Sequence, residues 1–184
     1  MTGASSGATR IGSTAPQALE FFAGIGLARL GLEEAGFHVA WSNDIDHAKC
    51  QMYRNQFGNN EQEHTLIEGD MGELHGSDLP HDISIAWGSS PCTDISLAGT
   101  RTGLNGKQSS AFWQYIRLLE EMGNNRPPVA VLENVTGLAT SHSGEDIAAA
   151  VSAFNQLGYS VDALSIDARR FVPQSRPRLF LVGL

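Results

Sequence analysis

Short apolar runs recur along this chain, separated by stretches in which apolar residues return at helical spacing. Seven runs have the length and residue content of strands: 18–22, 39–43, 65–68, 83–87, 129–132, 161–166 and 179–182. Between them, Ile147, Val151, Phe154 and Leu157 mark one face of a helix that stops at Gly158. Phe112, Ile116 and Leu119 mark another behind the candidate cap Ser109. Alternating strands and helices predict an α/β fold, a mostly parallel sheet with helices on both faces. Ligands in such folds bind beyond the carboxyl ends of the strands, so the chemistry should sit in the loops that follow them. Residues 1–16, rich in Ser, Thr, Gly and Ala, have little to bury and are expected to be a disordered lead-in. Residues 17–184 contain no linker or repeat and are expected to form one compact unit.

The loop after the first run reads FFAGIGLARLG. Gly24 and Gly26 allow a ligand to approach the backbone closely. Arg29 stands where a dinucleotide-binding G-x-G-x-x-G has its third glycine, which argues against a nicotinamide or flavin. Asp44, 18 residues beyond Gly26, falls at the end of the second run, where a carboxylate accepts hydrogen bonds from ribose hydroxyls. Asp70 follows the third run, in reach of an adenine amino group. A glycine turn with two acidic strand ends suggests an adenosine-bearing cofactor with no pyrophosphate to cradle; a tight turn without a ligand is the plainer alternative.

The loop after the fourth run places Cys92 directly behind Pro91, among Ser89, Ser90, Thr93, Asp94 and Ser96. Those polar neighbours make poor core and good presentation for a nucleophile, although a lone cysteine is more often a small buried apolar residue. Beyond it, Gly99, Gly103 and Gly106 with Arg101 and Lys107 read as a mobile basic loop able to close over a polyanion. The fifth run ends in Glu133 and Asn134. A carboxylate finishing a buried strand is expected to favour its protonated form and act as a proton donor; the alternative is a helix cap or a salt bridge to Arg176 or Arg178. If Arg178 begins the last strand, those two arginines, two residues apart, lie on one side of it, where arginine suits a carboxylate, a phosphate or a base carbonyl.

Composition narrows the class. The 184 residues carry 12 Lys+Arg against 20 Asp+Glu, a formal charge of −8, and 41% are hydrophobic, as in a soluble globular protein. Residues 1–82 hold 4 basic and 12 acidic groups whereas residues 83–184 hold 8 of each, so any polyanion contact should fall in the second half. No run approaches the roughly 18 apolar residues of a membrane helix and no signal peptide opens the chain, so a cytoplasmic location is expected. In a reducing compartment Cys50 and Cys92 are read singly. The histidines at 38, 47, 64, 75, 81 and 142 show no ligand spacing, so no metal is expected.

FFAGIG, PCTDIS, ENV and QSRPR, in this order at successive strand ends, resemble the motifs of the cytosine-C5 methyltransferase family. The resemblance covers residues 18–184 and implies a Rossmann-like S-adenosylmethionine-dependent methyltransferase fold in which the last strand is antiparallel. It implies S-adenosylmethionine as cofactor, lined by Phe22, Gly24, Gly26, Asp44, Ile45, Asp70, Met71 and Pro91. It implies Cys92 as the nucleophile on C6 of cytosine, Glu133 as the proton donor to N3, Arg178 as the partner of O2, and Arg176 as a support for substrate or Glu133. DNA is then the substrate, its target base flipped from the helix.

Two departures stand out. Thr93 occupies a position where many relatives have glutamine, and the chain stops at Leu184, before the target-recognition region with which relatives continue. A second polypeptide supplying recognition, or a truncation, is the resulting expectation. The competing expectations are a tRNA cytosine-5 methyltransferase and a non-catalytic cofactor-binding remnant.

Overall fold

A computed structural model of the chain describes residues 15–58, 63–91 and 111–184. Most of the expected lead-in, the Cys92 segment through Lys107, and Ser109 lie outside them. Within these residues seven strands form one sheet: β1 Gln17–Phe21, β2 His38–Asp44, β3 Thr65–Glu68, β4 Ile83–Ser89, β5 Val129–Val135, β6 Val161–Asp167 and β7 Pro177–Gly183. Their order is β3-β2-β1-β4-β5-β7-β6, parallel throughout except β7, which runs antiparallel to both β5 and β6. Among the described residues four α-helices join them: α1 Leu27–Glu34, α2 His47–Phe57, α3 Ala111–Glu121 and α4 Glu145–Gln156. The α/β, mostly parallel architecture with its antiparallel last strand is as expected.

Side-chain alternation sorts the strands onto two faces. Leu19, Phe21, Ala86, Leu132 and Leu181 pack with Phe112, Tyr115, Leu119 and Phe154 of α3 and α4. On the opposite face Ala18, Val39, Ile85 and Val131 meet Leu32 of α1. That second face also carries Glu20 and Ser42, which α2 covers with Tyr53. Local signals start and stop the helices: Asp46 caps α2 by accepting the Lys49 N–H at 3.1 Å. Glu145 and Asp146 lie in the first turn of α4, and Gly158, φ +93°, follows its end. No helix among the described residues is long and apolar enough to cross a membrane.

Several strands outrun their sequence patterns, and β5 matters most. It continues through Val135 because β7 pairs with its last residues, Asn134 against Leu179 and Val135 against Arg178. Glu133 therefore sits within a ladder, flanked by Ser89 on β4 and Phe180 on β7. Reversal of β7 also brings its start, with Arg178, to the edge where β1, β2, β4 and β5 end.

Candidate active site

At that edge the glycine turn is packed on one side and open on the other. Gly24 and Gly26 adopt φ of +57° and +85°, where glycine alone is unstrained. A Cβ on Gly26 would collide with the Phe57 ring of α2, whereas one on Gly24 would meet nothing within 4 Å. Phe22 also takes a positive φ, +57°, a conformation costly to a bulky residue and typical of functional turns. Asp44, buried at the end of β2, holds the turn: its Oδ2 accepts the Gly24 N–H at 2.7 Å and its Oδ1 the Asp46 N–H at 2.9 Å. Each oxygen keeps a lone pair for a further donor. Neighbouring Asn43 donates through Nδ2 to the carbonyls of Ile67 and Gly69, both at 3.0 Å, which fixes the path from β3 to Asp70. Asp70 lies two residues past β3 in a turn, its Oδ1 accepting the Gly72 N–H at 2.8 Å, and Met71 behind it is buried. Ile45 is 69% exposed beside Asp44.

Between β4 and β7 the chemistry changes character. Arg178 Nε lies 2.8 Å from Glu133 Oε1, a diagonal pair across β5 and β7, with side chains 21% and 19% exposed. Of the alternatives for Glu133, the salt bridge to Arg178 is the one formed. The carboxylate thus lies near the end of a buried strand with a guanidinium beside it. Asn134 points to the other face, buried, and its Nδ2 donates to Ser90 Oγ at 2.9 Å and to the Ser90 carbonyl at 3.3 Å. One strand end thereby holds both the Glu133–Arg178 pair and the residue preceding Pro91. Pro91 is exposed; Cys92 lies outside the described residues.

The condition for Arg176 and Arg178 to share one side of the last strand is not met. β7 begins at Pro177, so Arg176 belongs to the preceding loop, is exposed, and does not share the strand alternation of Arg178. Its backbone N–H is held by Asp167 Oδ1 at 2.8 Å.

Sequence reasoning missed a buried network beneath the glycine turn. Glu20, fully buried on β1, accepts from Ser42 Oγ, Tyr53 OH and the Arg29 N–H, each at 2.9 Å. Burial raises its pKa, against the hydrogen bonds, which lower it. The Arg29 guanidinium lies over the Phe57 ring, 4.3 Å from its centroid, and pairs with Glu33 at 2.7 Å. The third-glycine position thus serves helix packing. His64, stacked on Tyr53, has its pKa pushed down to about 4, first by burial and then by Arg29 and His38. A glutamate in the midst of the apolar run ALEFF is the signal that points to this cluster. Cys50 is fully buried and its thiol pKa raised, first by that burial, so it is packing. Among the described residues no cluster of His, Cys, Asp or Glu is arranged to hold a metal ion.

The sequence profile of C-5 cytosine-specific DNA methylases matches residues 17–184. The chain belongs to this family. It is 32% identical over 175 residues to the type II methyltransferase M.NgoFVII of Neisseria gonorrhoeae, covering 94% of this chain and 44% of that one. It is 30% identical over 178 residues to M.Eco47II of Escherichia coli, covering 96% of this chain and 41% of that one. The chain thus spans less than half the length of these two curated relatives. The fold resembles that of the S. pombe Dnmt2 methyltransferase, with a TM-score of 0.70 and 22% identity over 91% of this chain and 50% of that one. Spodoptera frugiperda DNMT2 gives a TM-score of 0.71 at 18% identity over 92% of this chain and 50% of that one.

Proposed function

We propose that this chain carries the catalytic site of a DNA cytosine-C5 methyltransferase, with target recognition supplied by polypeptide outside residues 1–184. The observation that supports it most is the convergence on one strand end of the Glu133–Arg178 pair and the Asn134 bonds to Ser90, immediately ahead of Pro91-Cys92. The glycine turn, open at Gly24 and backed by a carboxylate with spare lone pairs, fits S-adenosylmethionine. Phe22, Gly24, Gly26, Asp44, Ile45, Asp70, Met71 and Pro91 would hold it, Asp44 at the ribose and Asp70 at the adenine. When bound, it supplies an electrophilic methyl group.

The chain's own residues make the acceptor carbon nucleophilic. Unaided, C5 of cytosine is too electron-poor. The Cys92 thiolate forms a bond to C6 while Glu133 delivers a proton to N3, leaving an enamine at C5. A guanidinium has five donors, so Arg178 can orient Glu133 and still bind the O2 carbonyl of the base. Arg176 supports the substrate from the adjoining loop. After C5 is methylated, its proton passes to water. The C–H electron pair re-forms the C5–C6 double bond as the C6–S bond breaks and frees the Cys92 thiolate, and N3 returns its proton to Glu133. The base must leave the duplex to reach these groups, at a cost of a few kcal/mol.

Radiolabelled methyl incorporation into duplex DNA and into tRNA tests the proposal, with the chain alone and together with a target-recognition polypeptide. The expected result is DNA methylation that requires Cys92 and Glu133. Preferential labelling of tRNA would overturn the DNA assignment. Cofactor binding without transfer under any of these conditions would leave a non-catalytic remnant.

A further inference from the structure

The connection from β3 to β4 is gripped from outside by α3. Gln114, Arg117 and Glu121 stand three and four residues apart, so helical geometry puts them on one face, opposite Phe112, Tyr115 and Leu119 in the core. The guanidinium of Arg117 uses all three of its nitrogens. Nε donates to Gln114 Oε1 at 2.7 Å, Nη1 to Glu121 Oε1 at 2.6 Å and Nη2 to the Met71 carbonyl at 2.8 Å. Two partners on its own helix orient the fork, and the third lies 46 residues away on the turn that follows Asp70. Glu121 reaches the same connection a second time, its Oε2 accepting the Gly76 N–H at 2.7 Å. The backbone runs so close to α3 there that a Cβ on Gly76 would come within 2.5 Å of the Glu121 Cβ.

Asp70 is thus held between two clamps. On the sheet side, Asn43 binds the carbonyls of Ile67 and Gly69, and the Gly69 N–H donates to the Asp44 carbonyl at 3.1 Å. On the helix side, Arg117 holds the carbonyl of Met71, whose side chain is buried in the core. The Glu73 N–H returns to the Asp70 carbonyl at 3.0 Å and closes the turn. Asp70 itself is exposed, and with Oδ1 on the Gly72 N–H its Oδ2 keeps lone pairs for an outside donor. An exposed carboxylate on a turn selects among ligand donors only if the backbone beneath it is fixed.

We propose that Arg117 is a positioning residue for the base of the cofactor: by fixing the Met71 carbonyl it sets Asp70 where a carboxylate oxygen accepts the 6-amino group of adenine, and so selects adenosine over a 6-oxo purine nucleoside. The inference rests on the reading of Asp70 as the adenine partner and adds a residue outside the four motifs. Calorimetric titration with S-adenosylhomocysteine and with S-inosylhomocysteine, in which a carbonyl replaces the amino group, tests it in the full chain, D70N, R117M, R117K and R126M. The full chain should prefer S-adenosylhomocysteine, and D70N should lower that preference roughly 10- to 100-fold. R117M should weaken S-adenosylhomocysteine binding and lower the preference about 10-fold. R117K should fall between R117M and the full chain, because an ammonium can reach the Met71 carbonyl without reproducing the fork. R126M removes another arginine that binds backbone carbonyls, those of Leu119 and Leu157, and should lower Tm with the preference unchanged. A preference lowered in D70N but intact in R117M would overturn the inference and leave the adenine reading standing. An equal loss in R126M would reduce Arg117 to a stabilising role and overturn the inference as well. Absence of binding or of any preference in the full chain, or a preference that D70N leaves unchanged, would contradict the adenine reading and the inference with it.

Discussion

Two glutamates on the same face of the sheet show how its halves differ. Glu20, on β1, is enclosed, and every partner is a neutral donor: two hydroxyls and a backbone N–H. Glu133, on β5, stays partly exposed and faces a guanidinium. The β1–β3 half uses carboxylates as framework, Glu20 inside the network and Asp44 under the glycine turn. The β4–β7 half places its carboxylate at an open edge, beside Arg178 and next to Ser89 at the end of β4, ahead of Pro91. An acidic residue near a strand end is thus not a function in itself; its partners and access to solvent separate the two uses.

The comparison breaks if the two kinds of carboxylate respond alike to amide substitution. Glu133→Gln should lower the rate of methyl transfer by about 10² to 10⁴ while leaving cofactor affinity unchanged, as single-turnover kinetics and calorimetry would show. Asp44→Asn should do the reverse, weakening S-adenosylhomocysteine binding roughly 10- to 100-fold through loss of one charged hydrogen-bond acceptor, with little effect on the rate at saturating cofactor. Glu20→Gln should leave the chemistry intact and cost about 1–3 kcal/mol of stability, lowering Tm by several degrees, because one of its two accepting oxygens becomes an NH2 group facing other donors.

The smallest effect expected is in pH. His64 has a folded pKa of about 4 against the ordinary 6.5, so the unfolded chain binds the extra proton first. Its contribution to stability is present above pH 6.5 and is lost as pH falls toward 4. Thermal melts should show that acid sensitivity diminished in His64→Asn. An unchanged pH profile would remove His64 from the framework cluster.

The sheet is legible in the sequence because its strands are short apolar runs and its helices carry a clear periodicity, as at Ile147 to Leu157. Strand ends are less legible: where β5 stops depends on its pairing with β7, a long-range interaction that no local pattern encodes. The same dependence starts β7 at Pro177, two residues ahead of the apolar run, with Arg176 just outside it. The motif residues announce themselves by type and order, so the pairing of Glu133 with an arginine is among the alternatives the sequence offers, and the structure selects Arg178. Asn134 is visible only as the neighbour of Glu133, because its bond to Ser90 joins residues 44 apart in sequence. Arg29 stands out for the glycine it replaces, while its packing on Phe57 needs the approach of α2.

At the strand end holding Glu133 and Arg178, the proposed chemistry is a covalent attack by Cys92 on cytosine. Incubation with S-adenosylmethionine, a target-recognition polypeptide and duplex DNA containing 5-fluorocytosine tests it most directly. Fluorine cannot leave as the C5 proton does, so the cycle should stop at a Cys92–C6 adduct carrying a new methyl group, seen by mass spectrometry and absent in C92A. An adduct at another residue, or none while S-adenosylhomocysteine and DNA both bind, would contradict the account.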